Sequence, residues 1–306
     1  MESTNIYELF PDRRHFGGDA LQSVQLVELR ILKIVDYICT KQGIRYWLDG
    51  GTLLGAVRHG GFIPWDDDID IVMPRADYEK FLRVAPQFLP PDLCVEISDP
   101  DGGNYCYYLP CKIRDIYSRI TESPCTTDRG KGLFVDIIPV DSFHRTKLKL
   151  SMDMLMKRIY RGLARIDEAI HPSSLQIYYF LNRAVSLLNP VVTSESFIRI
   201  YYRIMREFVI LSKFRRSSSP LIGYGFDVYW IRLFDADHIY PLQRIRFCDG
   251  EFLAPRDPDG VLKVFYGEEY MTLPVEESRK PGHILAVQLD KRVDESIQNI
   301  VYTPCS

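Results

Sequence analysis

Basic residues are not in surplus. The 306-residue chain carries 38 Lys and Arg against 41 Asp and Glu, a formal net charge of −3, which argues against a general nucleic-acid binder. Long apolar runs are missing too. The most hydrophobic stretch, Leu175 to Val192, is interrupted by Asn182, Arg183 and Pro190, too polar for a membrane-spanning helix. The opening MESTNIYELFPDRRHF has neither an early basic cluster nor an apolar segment, so no secretory signal is expected and a cytoplasmic protein is. Cysteines number seven, irregularly spaced and without a CxxC pair; an odd, scattered set points to reduced thiols rather than a disulfide framework or structural zinc. No internal repeat is present.

What is there is ordinary globular composition, 46% hydrophobic and 26% charged, enough to bury a real core. Charge is unevenly spread: from His144 to Arg216 fourteen Lys or Arg face five Asp or Glu, a local +9, leaving 24 against 36 elsewhere. Leu21, Val24, Val27, Ile31, Ile34, Val35 and Ile38 recur at helical spacing, with Gly43 as a stop. IRYWLDGG reads as a short strand broken at its glycines, TLLGAVRHG as one or two helical turns, and Asp68–Met73 as an alternating strand, with a helix over Asp77–Val84. A hairpin is expected over Tyr105–Ile120 and a buried strand over Gly132–Asp141. Three basic helices follow, Lys147–Ile170, Leu175–Leu188 and Ser194–Phe214. The expected class is α+β.

The acidic run asks for an explanation. On a strand Asp66, Asp68 and Asp70 share one face while Asp67, Ile69 and Ile71 share the other. Carboxylates this close repel, and a hard divalent cation is the usual remedy; a solvated acidic loop is the alternative. Gly50 and Gly51, at a strand end before a short helix, allow backbone N–H groups to approach an anion. Asp136 stands between Val135 and Ile137 in an otherwise apolar run, where a carboxylate needs a cation or hydrogen bonds.

DGGTLLGAVRHGGFIPWDDDIDIVMPRADYEKF (Asp49–Phe81) resembles the signature of the LicD/fukutin family, and KIRDIYS, GLFVDIIPVD and FLAPRDPDGVLKVFYGEEYMTLP continue the likeness in order. Ser118 stands where that pattern has threonine, and residues 144–219 match no part of it. The resemblance implies a nucleotidyltransferase-type mixed sheet core with flanking helices, one catalytic domain over residues 1–306, and a basic helical subdomain inserted at 144–219. It implies Mg²⁺-dependent (or Mn²⁺-dependent) transfer of a phosphoalkyl group, phosphocholine or a polyol phosphate, from a CDP-linked donor such as CDP-choline to a glycan or lipid-linked glycan acceptor in lipopolysaccharide or teichoic acid biosynthesis. Asp68, Asp70 and Asp136 would be catalytic and, with Asp66, hold the metal; Gly50, Gly51, Thr52, Arg58, Lys112 and Arg114 would bind donor phosphates. Tyr266 and Gly267 resemble a family element near the active site.

Alternatives stay open. Lys112 and Arg114 also read as a solvated strand edge, and His59 and His283 as structural loop histidines. The basic block reads either as peripheral contact with the inner face of an anionic membrane or as the solvated surface of a helical subdomain. The same carboxylates would serve a nucleotidyltransferase that releases pyrophosphate, and an inactive scaffold would need none of them.

Overall fold

The structure is a computed structural model describing residues 6–97, 111–122, 132–170, 200, 203–204, 207, 221–291 and 297–298. The expected helices over 175–188 and most of 194–214 lie outside the described residues. The chain divides into two compact units, one of residues 1–96, 111–138 and 237–306, the other of residues 97–110 and 139–236. The mixture of helices and strands is that of an α+β protein.

In the first unit, helix α1 (Ala20–Gln42) forms where the apolar period predicts it. Asp19 caps its start by accepting the Gln22 N–H, and Gly43, at φ 60°, returns its own N–H to the carbonyls of Cys39 and Thr40. Its apolar stripe, including Val24, Ile31 and Val35, is sealed from water. Strand β1 (Trp47–Leu48) leads into helix α2, which runs from Gly50 to His59 and thus begins at the glycines instead of after them. Strand β2 spans Asp70–Pro74, starting two residues later than expected, and helix α3 extends over Arg75–Phe88.

Strands β3 (Leu93–Ile97), β4 (Cys111–Asp115), β5 (Arg119–Glu122) and β6 (Phe134–Phe143) follow. The sheet order is β1-β2-β6-β4-β3, with β1–β2 and β4–β6 antiparallel. The expected hairpin over Tyr105–Ile120 does not form between β4 and β5, its residues 105–110 lying outside the described set. Asp115 ends β4: its carboxylate takes a bidentate grip from buried Arg14 and accepts the Ser118 N–H. The chain turns there, and β5 pairs instead with β11 (Ile284–Gln288), which also pairs with β12 (Ile297–Gln298). Strands β9 (Gln243–Phe247) and β10 (Gly250–Ala254) form a separate hairpin, and Asp257 caps helix α5 (Pro258–Tyr266).

In the second unit the end of β6 pairs with β7 (Leu221–Tyr224), which pairs with β8 (Leu233–Asp235). Helix α4 (Lys147–Ile170) places Lys157 fully inside, where its ammonium donates to the carbonyls of Tyr224, Gly225 and Val228 at 2.6–3.0 Å. Among the described residues no helix is long and apolar enough to cross a membrane.

Candidate active site

The acidic run alternates as its sequence demands. Asp67, Ile69 and Ile71 are fully buried, while Asp66, Asp68 and Asp70 remain partly open to solvent. Asp67 is sealed from solvent where it accepts the backbone N–H groups of Gly282, His283 and Ile284 at 2.7–3.1 Å. Burial alone would raise its pKa; the His283 ring and these N–H groups outweigh burial and hold it below the usual carboxylate range. Asp67 is thus a clamp for the start of β11.

Asp70 is fixed through its backbone. Its N–H donates to the Thr52 hydroxyl at 2.9 Å and its carbonyl accepts the Asp49 N–H at 3.1 Å. A Cβ on Gly50 would sit 3.6 Å from the Asp70 carboxylate and 4.0 Å from the Tyr266 hydroxyl; one on Gly51 would sit 2.9 Å from Asp66 Oδ2. With Gly50 at φ 48°, the glycines let the first turn of α2 lie against two carboxylates. Its helix dipole is favourable to their charge. Thr52 is buried and occupied in holding Asp70.

Asp136 arrives on β6, where its N–H donates to the carbonyl of Ile69 at 2.9 Å, so the third carboxylate lies alongside the acidic run. It is 2% exposed. Lys112, directly opposite in register on β4, stands 3.2 Å from Asp136 Oδ1 and lies over the Phe134 ring. Burial raises Asp136 to about 6 against the opposing pull of Lys112. Burial also lifts Asp66 to about 8, reinforced by Asp68 and Asp67, and pushes Asp68 up. Asp70 rises well above the carboxylate range through burial and the charges of Asp68, Asp136 and Asp49.

Lys112 and Arg114 are buried rather than solvated. Arg114 is engaged with Glu96 and donates to the Gly132 carbonyl at 2.8 Å, while Lys112 contacts Asp136 directly. Arg58 is half-buried at the rim, donating to the Tyr270 carbonyl at 3.1 Å and to the His59 ring at 3.0 Å. Burial lowers its pKa, while Tyr266 and Asp66 oppose the shift. Arg279 lies over the Trp65 ring nearby in sequence to the acidic run.

The chemistry of this donor set suits a divalent cation. Asp136 Oδ1 accepts no hydrogen bond among the described residues beyond its ion contact with Lys112. Burial is the chief cause of the raised pKa values of Asp66, Asp68, Asp70 and Asp136, with neighbouring carboxylates adding to it, and oxygen donors of this kind select Mg²⁺ or Mn²⁺. Asp67, Asp68 and His283 also bring ligand atoms within 4.8 Å of one another. There, however, the His283 Nδ1 lies 3.2 Å from both Asp67 Oδ1 and Asp68 Oδ2. Its hydrogen bond with Asp67 raises His283 to about 10, so the ring itself supplies a positive charge at that point.

Residues 43–186 match the family described as LicD/FKTN/FKRP, nucleotidyltransferase domain. The chain is 28% identical over 283 residues to the lipopolysaccharide cholinephosphotransferase LicD of Haemophilus influenzae, covering 86% of this chain and 96% of that protein. Residues 43–186 carry the LicD-family domain of a phosphotransferase. A shorter likeness, 69% identity over 29 residues, links it to human ribitol 5-phosphate transferase FKRP, covering 10% of this chain and 6% of that one. Mannosyltransferase regulator 4 of Saccharomyces cerevisiae is 33% identical over 102 residues, 32% of this chain and 8% of its own length.

Within and beside the LicD-family domain the structure draws Asp66, Asp68, Asp70, Asp136, Gly50, Gly51, Thr52 and Lys112 together, places Arg58 at the edge, and engages Arg114 with Glu96. Three residues outside that set lie near it. His283, read from the sequence as a structural loop histidine, stands 3.2 Å from two aspartates; Tyr266, expected near the active site, has its hydroxyl 4.0 Å from where a Cβ on Gly50 would sit; Glu28, not singled out from the sequence, lies buried on α1. Glu28 did leave a trace there: it stands on the apolar stripe, four residues after Val24 and three before Ile31.

Proposed function

We propose that the chain transfers a phosphoalkyl group from a CDP-linked donor to a glycan hydroxyl, with Mg²⁺ as cofactor, on a nucleotidyltransferase-type sheet. The observation that carries the reading is the convergence of Asp68 and Asp70 with Asp136 through the backbone contact between β6 and Ile69. Phosphocholine is the favoured group, because the likeness to the cholinephosphotransferase runs through most of the chain while that to the ribitol-phosphate enzyme covers 29 residues. Asp68, Asp70 and Asp136 would hold the ion, with Asp66 in support. Bound Mg²⁺ would neutralise the donor diphosphate and the charge developing on the leaving CMP.

The chain's own groups divide the remaining work. Asp136, raised to about 6, can take the acceptor's hydroxyl proton at neutral pH. As the new P–O bond forms in line, the bond from phosphorus to the CMP oxygen breaks and CMP leaves. Arg58 and the α2 N-terminus favour anionic donor phosphates, and Lys112 holds Asp136 in place. A cytoplasmic site of action and a lipid-linked glycan acceptor belong to the same reading. In its support, α4 exposes Leu148, Met152, Leu155 and Ile159 between exposed Lys147, Lys149 and Arg158, the pattern of a helix lying on an anionic bilayer. Protein left in the soluble fraction on flotation with anionic vesicles at low salt would reject the membrane contact.

Thermal unfolding with Mg²⁺ and CDP-choline, CDP-ribitol, CDP-glycerol, CMP and a UDP-sugar tests the donor. Saturation at about 100 times the dissociation constant adds about 2.7 kcal/mol. A shift with one CDP compound, lost without Mg²⁺, supports the reading; pyrophosphate among the products would favour nucleotidyl transfer instead, and no shift with any cytidine ligand would sink it.

A further inference from the structure

Glu28 is 0% exposed, and neither of its carboxylate oxygens has a hydrogen-bond partner among the described residues. An isolated carboxylate in such a place costs several kcal/mol unless a proton, a cation or a ring of donors attends it. Its neighbours make the position more demanding. Gln25, one helical turn earlier on α1, donates from Nε2 to the backbone carbonyl of Asp66 at 2.8 Å. Residues three apart on a helix lie on the same face, so Glu28 is directed toward the same acidic run. The charges that bear on it are those of Asp68, Asp67, Asp66 and Asp136, in that order. An unpaired carboxyl sealed inside a cluster of carboxylates has no structural purpose that an apolar residue would not serve better.

We infer that Glu28 is a further carboxylate of the cation site, delivered from α1 behind Asp68, and that its charge contributes to divalent-ion affinity. The inference rests on the metal-dependent reading above and extends the ligand environment from the strands to the helix. It also explains why a carboxylate stands on the buried face of α1.

The test uses the full chain and Mn²⁺ as a paramagnetic probe, titrated by electron paramagnetic resonance, with Glu28→Gln, Glu28→Asp and Asp68→Asn beside the wild type. Glu28→Gln keeps shape and removes charge. Its Mn²⁺ dissociation constant should rise about 10-fold to 100-fold, the usual consequence of losing a group that supports a metal, while its metal-free melting temperature equals or exceeds that of the wild type. Glu28→Asp, charged but one methylene shorter, should fall between the two, and it carries the test should the Gln variant not fold. If Asp68→Asn loses Mn²⁺ while both Glu28 variants bind it like the wild type, the role of Glu28 is overturned and the metal-dependent reading stands. A wild type that binds no Mn²⁺ overturns both.

Discussion

Lys112 and Asp136 face each other across the β4–β6 pairing, 3.2 Å apart and both shielded from water. The ammonium is what keeps the carboxylate ionisable near neutrality. Lys112→Met should therefore drive Asp136 upward, since burial then acts without opposition. The expected result is a loss of turnover of about 100-fold at pH 7, the range for losing a general base, with the acidic limb of the pH–rate profile moved to higher pH. An unmoved limb would show that Asp136 does not take the proton.

Removing Asp68 separates function from folding. Asp68→Ala should abolish turnover yet leave the metal-free melting temperature unchanged or raised, because one of several repelling carboxylates is gone. Turnover at the wild-type rate would end the metal hypothesis.

The pH dependence of the metal-free protein has a definite sign. Asp136 is raised to about 6 and Asp66 to about 8, both chiefly by burial, and His283 to about 10, chiefly by its hydrogen bond to Asp67. A group whose folded pKa is raised stabilises the fold below its unfolded pKa and loses that contribution as pH climbs through the folded value. The windows run from about 4 upward for the two aspartates and from about 6.5 upward for the histidine. Asp67, held low, acts only at more acidic pH. Melting in EDTA should thus decline steadily from about pH 6 to about pH 9, and Mg²⁺ should flatten the decline. A melting temperature that rose over that interval would contradict the assignment.

Gly51 can be tested by addition. Gly51→Ala places a methyl group 2.9 Å from Asp66 Oδ2, so the carboxylate must shift, and displacement of this size near reacting groups can cost about 100-fold in rate. Gly50→Ala carries the added strain of φ 48°, about 1–2 kcal/mol. Calorimetry beside kinetics separates them: the first should lose activity with little stability, the second should lose both.

Local signals were legible in the sequence and distant ones were not. The apolar period and Gly43 define α1 without any tertiary help, and the alternation of Asp66 to Ile71 already separates buried Asp67 from its half-buried neighbours. The separation of β4 from β5 could not be read, because it is decided by Arg14 gripping Asp115 and by β11 offering β5 a partner from far along the chain. For Lys112 and Arg114, expected as donor-phosphate ligands or else a solvated edge, burial could not be read, since only the sheet order reveals that β3 and β6 flank them. His283 sits in a loop with nothing local to mark it, and Asp67 is 216 positions away. Glu28 was visible as an acid on an apolar stripe, a conflict between pattern and residue that points to a site.

The clamp between Asp67 and residues 282–284 has a consequence for how the protein is made. Asp67 leaves the ribosome early, but the N–H groups that hold it belong to the start of β11. Until translation has passed Ile284, Asp67 lacks these three N–H donors. The clamp on Asp67 can therefore close only late in synthesis, when residues 282–284 have joined a fold begun more than two hundred positions earlier.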